Sequence, residues 1–127
     1  MDKRVAIVED EPHIVESLRF ILNRAGHDVI VADNGDAAIE MVKNDSPDIM
    51  VLDIMLPIKN GFEVLKWIRS QTRYRSLPVL MLTAKGQDKD RNTATSLGVD
   101  AFIAKPFSND EVVDCVNRLL VAERPGG

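Results

Sequence analysis

Short apolar runs alternate with helix-period patterns five times along this chain. Val5-Ala6-Ile7-Val8 is the first run and reads as a strand. Glu9-Asp10-Glu11-Pro12 follows at once, and proline at a first helical position amid acids signals a helix start. Ile14, Val15, Leu18, Ile21, Leu22 and Ala25 then recur at helical spacing as an inward face, until Gly26 stops the helix. Val29-Ile30-Val31 is a second short strand. Asn34 can cap a helix that turns Ala38, Ile39, Met41 and Val42 inward, and Ser46-Pro47 breaks the chain after it.

Ile49-Met50-Val51-Leu52 and Ile54-Met55-Leu56 flank a single acid, Asp53. A run apolar on both faces predicts a strand inside a parallel sheet, since helices cover both sides of such a sheet. After a turn from Pro57 to Gly61, Phe62, Leu65 and Ile68 outline a third helix, with Trp67 partly buried on it. Leu77-Pro78-Val79-Leu80-Met81-Leu82 is another two-sided strand, ending at Thr83. Gly86 to Leu97 is polar except for Ala94 and Leu97, which predicts a weakly docked helix ended by Gly98. Ala101 to Ala104 is the last strand, followed by Lys105-Pro106-Phe107. Ser108 with Glu111 spells a capping box before a helix whose inward face is Val112, Val113, Val116, Leu119 and Leu120. Five strand–helix units predict an α/β fold, a doubly wound five-stranded parallel sheet with helices on both faces.

Length and composition narrow the partners. The 127 residues suit one domain, with residues 1–122 as its body and 123–127 as a tail or the start of a linker. A net charge of −4 argues against direct nucleic-acid binding, which wants clustered Lys and Arg. The one cysteine, Cys115, excludes an internal disulfide framework and reads as a packing residue of the last helix. No apolar run approaches the ~20 residues of a membrane span, and the N-terminus lacks a signal-peptide core, so the expected location is cytoplasmic. His13 and His27 have no acid or cysteine at ligand spacing and read as surface residues.

The chemistry lies at the strand ends. Parallel strands place their C-terminal ends along one edge, where ligands of open α/β sheets bind. The residues reaching that edge are Glu9 and Asp10, Asp53, Thr83, and Lys105. Three carboxylates brought close repel one another and raise their own pKa values unless cations join them. Lys105 can neutralise one, and a hard divalent cation, Mg²⁺, can neutralise the others. Vacant positions on such an ion, beside a lysine and a threonine, make a site for a phosphoryl group, with Asp53 as nucleophile. The bland readings are a strand-end cap for Asp53, helix-dipole acids for Glu9 and Asp10, and a plain β-branched residue for Thr83.

The set Glu9-Asp10, Asp53, Thr83-Ala84 and Lys105-Pro106-Phe107 resembles the receiver domain of bacterial two-component response regulators, from Val5 to about Leu120. The resemblance implies a (βα)5 flavodoxin-like fold with strand order 2-1-3-4-5. It implies that Asp53 accepts a phosphoryl group from a sensor histidine kinase or phosphotransfer protein in a phosphorelay. It further implies that Asp10, Asp53 and the backbone carbonyl of Met55 hold Mg²⁺, with Glu9 acting through water. Thr83, Ala84 and Lys105 would meet the phosphoryl group, Phe102 would act as the aromatic switch, and the Lys105–Pro106 bond would be cis. Signalling would pass from Thr83 and Phe102 to the 86–107 surface, and from there to an effector protein or a fused output domain. No enzymatic activity is expected beyond self-catalysed phosphoryl transfer and autodephosphorylation.

Three positions depart from the family pattern. Glu9 stands where Asp is common, which lengthens its reach. Phe102 stands where Tyr is frequent, so no hydroxyl can signal its orientation. An acidic pair that one DNA-binding subfamily uses for dimerisation is half present, as Asp100-Ala101, leaving Arg91, Glu111 and Arg118 as candidates for a phosphorylation-dependent homodimer. Met55 and Lys85 flank the site and are candidates for tuning phosphoryl lifetime. Other readings are a Mg²⁺-dependent phosphatase working through an aspartyl phosphate, a flavin binder, and a phosphorylation-independent interaction module. The phosphatase generally carries a second Asp where this chain has Met55. The flavin binder needs a Ser/Thr/Gly loop where this chain has Glu9-Asp10-Glu11-Pro12, whose charge would repel phosphate.

Overall fold

The computed structural model describes residues 3–84 and 88–121. Lys85, Gly86 and the Arg124–Gly127 tail therefore lie outside the described residues. In chain order the elements are β1 (Arg4–Val8), α1 (Pro12–Arg24), β2 (Asp28–Ala32), α2 (Gly35–Asp45), β3 (Ile49–Asp53), α3 (Gly61–Ser70), β4 (Val79–Ala84), α4 (Asp88–Ser96), β5 (Ala101–Lys105) and α5 (Asn109–Val121). The five strands pair in parallel in the order β2-β1-β3-β4-β5, so the strand order reverses direction at β1. Such a reversal opens a crevice beyond the carboxyl ends of β1 and β3.

Alternation along the strands divides the core into two layers. Val5, Ile7, Ile49, Val51, Leu80 and Leu82 pack with Leu18 and Leu22 of α1 and with Val112 and Val116 of α5. Ala6, Val8, Met50, Leu52 and Met81 pack on the other face with Ala38 and Val42 of α2, Val64 and Ile68 of α3, and Ala94 of α4. Period-two geometry carries the same division to the strand ends. Asp53 and Lys105 continue the α1/α5 face, whereas Thr83 and Phe102 belong to the face that α4 covers.

Local chemistry sets the helix starts. Pro12 opens α1, where the Glu11 side chain accepts the His13 amide hydrogen. The Asn34 side chain caps α2 by accepting from the Ala37 amide at 2.8 Å. Ser108 accepts from the Glu111 amide at 3.1 Å, the serine half of the expected box. The fully reciprocal capping box sits at α3 instead, between Asn60 and Glu63, and is legible in hindsight as Asn60-x-x-Glu63.

Three expectations need correction. β4 starts at Val79, two residues later than Leu77, because Pro78 has no N–H to give the ladder, and it runs on through Thr83 to Ala84. Ala25 does not face the core; it is the exposed C-cap of α1. Leu97 lies beyond α4, in the turn that Gly98 closes with φ +88.

Candidate functional site

Four strand ends build the site. Past β1, the Glu9 amide donates to the Ala32 carbonyl at 3.0 Å, which draws the chain on beside β2 and leaves the Glu9 side chain only 1% exposed. Asp53 is the last residue of β3 and is 4% exposed. Lys105 ends β5, before a cis bond to Pro106. Its ammonium lies 3.0 Å from Glu9 Oε1 and 3.1 Å from Asp53 Oδ1, bridging residues 96 and 52 positions away in sequence. Glu9 Oε2 also accepts the Glu11 amide hydrogen at 3.2 Å.

Asp10 stands exposed at the mouth, and one oxygen from each of Glu9, Asp10 and Asp53 falls within 4.8 Å of the others. Thr83 is 3% exposed, and its hydroxyl has no hydrogen-bonding partner among the described residues. A buried hydroxyl without a partner costs about 1–3 kcal/mol, so it marks a place where a further acceptor belongs. The Ala84 backbone pairs beside Lys105. The loop is fixed from behind. The Gly61 amide donates to the Ile54 carbonyl at 2.8 Å, and a Cβ at Gly61 would collide with the Asp53 carbonyl.

Among the described residues the charges do not balance. One ammonium faces two carboxylates directly and a third nearby. Burial pushes the Glu9 carboxyl above its ordinary range; the Lys105 hydrogen bond pulls it back in part, and the Asp53 charge pushes it further up. Burial works against the Lys105 ammonium, but its bonds to Glu9 and Asp53 outweigh that, so its pKa is raised. A cluster with surplus negative charge and an idle hydroxyl suits a hard cation with an anionic oxygen ligand. The donor set therefore fits Mg²⁺.

Beside Lys105, a cleft of about 520 Å³ runs between His13, Ile14 and Ser17 of α1 and Pro106, Phe107 and Asn109. On the opposite flank, Phe102 is half-buried, and the Arg91 guanidinium carbon lies 5.1 Å from its ring centroid. The Met55 side chain is 77% exposed. Asp100, the half of the acidic pair that is present, is tied into the fold. Its side chain is 13% exposed, and it pairs with Arg69 of α3 at 2.8 Å while accepting the Val79 amide at the same distance. Arg118 reaches Cys115 Sγ at 3.5 Å. His27 meets the Asn117 side chain at 2.8 Å. Arg69 and Gly61 escape a reading of the sequence, because a lone arginine in a helix's last turn and a glycine after asparagine carry no specific signal there.

Known proteins share this fold. The family model for the response regulator receiver domain matches residues 5–117. The alkaline phosphatase synthesis transcriptional regulatory protein PhoP of Bacillus subtilis (strain 168) is 42% identical over 120 residues, covering 94% of this chain and 49% of that protein. The chain thus spans about half the length of this curated relative. A crystal structure from Chloroflexus aurantiacus J-10-fl superposes with a TM-score of 0.93 at 30% identity, covering 96% of this chain and 100% of that one. The receiver domain of the sensor histidine kinase PA1611 from Pseudomonas aeruginosa PAO1, solved with a magnesium ion in its active-site cleft, superposes at 0.88 with 25% identity, covering 96% and 100%. The chain belongs to the response regulator receiver domain family of two-component systems.

Proposed function

We propose that this domain is a phosphorylation switch in which Asp53 takes a phosphoryl group from the phosphohistidine of a sensor histidine kinase or phosphotransfer protein. The observation that carries the reading is one lysine bridging Glu9 and Asp53, with the buried Thr83 hydroxyl, which has no partner among the described residues, near the end of the neighbouring strand. Asp53 attacks phosphorus with its carboxylate oxygen, the P–N bond breaks, and the imidazole leaves with the electron pair. Lys105 stays against the cluster and offsets charge on the transferred group, and Thr83 donates its hydroxyl hydrogen to a phosphoryl oxygen. Asp10, Asp53 and the Met55 carbonyl would hold Mg²⁺, with Glu9 reaching it through water. When bound, the ion supplies charge neutralisation of the phosphoryl oxygens. The cleft along α1 offers the donor protein an apolar seat next to the acceptor.

The switch follows from the same parts. Phosphorylation adds about −1.5 to −2 charge. Thr83 moves toward it, the Phe102 ring fills the space vacated, and α4 repacks, since Ala94 is its one buried residue. The reading extends to a cytoplasmic setting and to an effector or fused output domain downstream. Among the described residues, no helix is long and apolar enough to cross a membrane. The phosphatase alternative gains nothing, because Met55 supplies no acid or base at the second position.

Incubation with acetyl phosphate and Mg²⁺, followed by peptide mass spectrometry, tests the reading. The wild-type domain gains one phosphoryl group on the peptide containing Asp53, and Asp53→Asn gains none. Labelling that persists on the asparagine variant overturns it. Thr83→Ala still takes the label but loses the accompanying amide-shift changes across residues 88–107.

A further inference from the structure

Two arginines make contacts at α4 and the turn that follows it, and they differ in kind. Beyond its C-terminal end, Arg69 donates from Nε to the Gly98 carbonyl at 2.9 Å and from Nη1 to the carbonyls of Leu77 at 2.7 Å and Arg75 at 3.1 Å. Its Nη2 meets Asp100 at 2.8 Å. That turn is bonded to α3 and to the approach to β4, so it is a fixed joint. Nearer the other end, Arg91 lies over the face of the Phe102 ring, and Arg91 is exposed. Between these points Ala94 alone of the helix is buried.

We propose that Arg91 is a positioning residue of the switch. Its guanidinium latches the Phe102 ring in the half-buried position under α4, and inward rotation of the ring breaks the latch and frees α4 to swing on the Arg69 joint. The inference rests on the phosphoacceptor reading above and names what holds the resting state. Phe102 has no hydroxyl, so a hydrogen bond cannot register its orientation. The ring face remains, and a cation over that face is an interaction that depends on how the ring points. Register supplies the space. Met81 pairs with Phe102 and Thr83 with Ala104, so Thr83 sits one alternation further along the same face, with its hydroxyl unpartnered. Movement of Thr83 toward a phosphoryl group therefore opens room next to the ring, on the side away from the joint.

The latch and plain electrostatics predict opposite signs. Beryllofluoride on Asp53 mimics the phosphoryl group as an anion, so loss of a nearby cation alone weakens its binding. Loss of a latch on the resting state strengthens it, because less of the binding energy goes into the conformational change.

The test is titration of the domain with beryllofluoride and Mg²⁺, followed by ¹⁵N NMR, with melting curves confirming that each variant is folded. Arg91→Gln is expected to tighten binding about two- to fivefold, the worth of an exposed cation–π contact. Arg91→Lys, which keeps a cation, stays near wild type. In a Phe102→Leu background, Arg91→Gln changes nothing further, since no ring remains to hold. Weaker or unchanged binding for Arg91→Gln, in a wild type that responds, overturns the latch, as does equal tightening in the Phe102→Leu background. A wild-type domain that does not respond at all sinks the phosphoacceptor reading itself and the latch with it.

Discussion

One ion-pair network stands at each end of the sheet, and the contrast between them separates structure from function. At the amino ends of β4 and β5, Arg69 satisfies three carbonyls and Asp100, and Asp100 also takes the Val79 amide. Both side chains are mostly buried, at 17% and 13% exposure. That network is closed, with each charge matched and with neutral groups completing it. At the carboxyl ends, Lys105 faces Glu9 and Asp53 with Asp10 nearby, and the Thr83 hydroxyl has no partner among the described residues. That network is open, because among the described residues it lacks positive charge and an acceptor. The proposed ligand site lies at the open cluster, where the shortfall is.

The contrast can be broken from either side. The largest effect belongs to the closed network. Arg69→Ala removes the guanidinium from the part-buried Asp100 and from three carbonyls and should cost about 2–4 kcal/mol in urea denaturation. Labelling of Asp53 by acetyl phosphate should survive wherever that variant is folded. A cost below about 1 kcal/mol removes the claim of closure. The open network should instead respond to Mg²⁺. At one hundred times its dissociation constant, Mg²⁺ is expected to stabilise the domain by about 2.7 kcal/mol. Asp10→Asn should lose most of that gain, and equal gains in both proteins would place the ion elsewhere.

A smaller effect comes from behind the site. Gly61→Ala drives a methyl group at the Asp53 carbonyl and should destabilise by about 1–3 kcal/mol while slowing phosphorylation. Unchanged phosphorylation kinetics there would show that the loop gives way without moving the acceptor.

The smallest effect is on pH dependence. The Glu9 pKa is raised above 4.5, so between 4.5 and its folded value the native state holds a proton that the unfolded chain has released. Stability of the metal-free domain therefore falls as pH rises through that window. Glu9→Gln should flatten the decline in melts across mildly acidic pH, and identical slopes would contradict the buried-carboxyl account. Lys105 acts in the same direction, but in the alkaline range. Its contribution is fully present below 10.5 and is lost as pH climbs through its raised folded value.

The open network was legible in the sequence and the closed one was not, for a physical reason. Parallel strands force their ends to one rim, so Asp53 amid apolar residues and Lys105 after an apolar run could be placed together without coordinates. The strand order followed from the family resemblance, and the parallel pairing from the alternation of strands and helices. Arg69 bonds mainly to backbone carbonyls, and carbonyls are the same in every residue. Nothing in the sequence distinguishes such an arginine from a solvated one. The pairing of Asp100 is equally hidden, since its partner Arg69 lies 31 positions back in the sequence. The late start of β4 reflects a local rule, the missing N–H of Pro78, that an apolar pattern overrides on paper but not in a ladder.

The most direct test of the open site is a Mg²⁺ titration followed residue by residue in ¹H–¹⁵N NMR spectra. Shifts should concentrate at Glu9, Asp10 and Asp53 to Met55, stay absent around Arg69, Gly98 and Asp100, and vanish in Asp10→Asn. Shifts of equal size at both ends of the sheet, or shifts that survive in Asp10→Asn, would contradict the assignment of the carboxyl rim as the incomplete, ligand-seeking cluster.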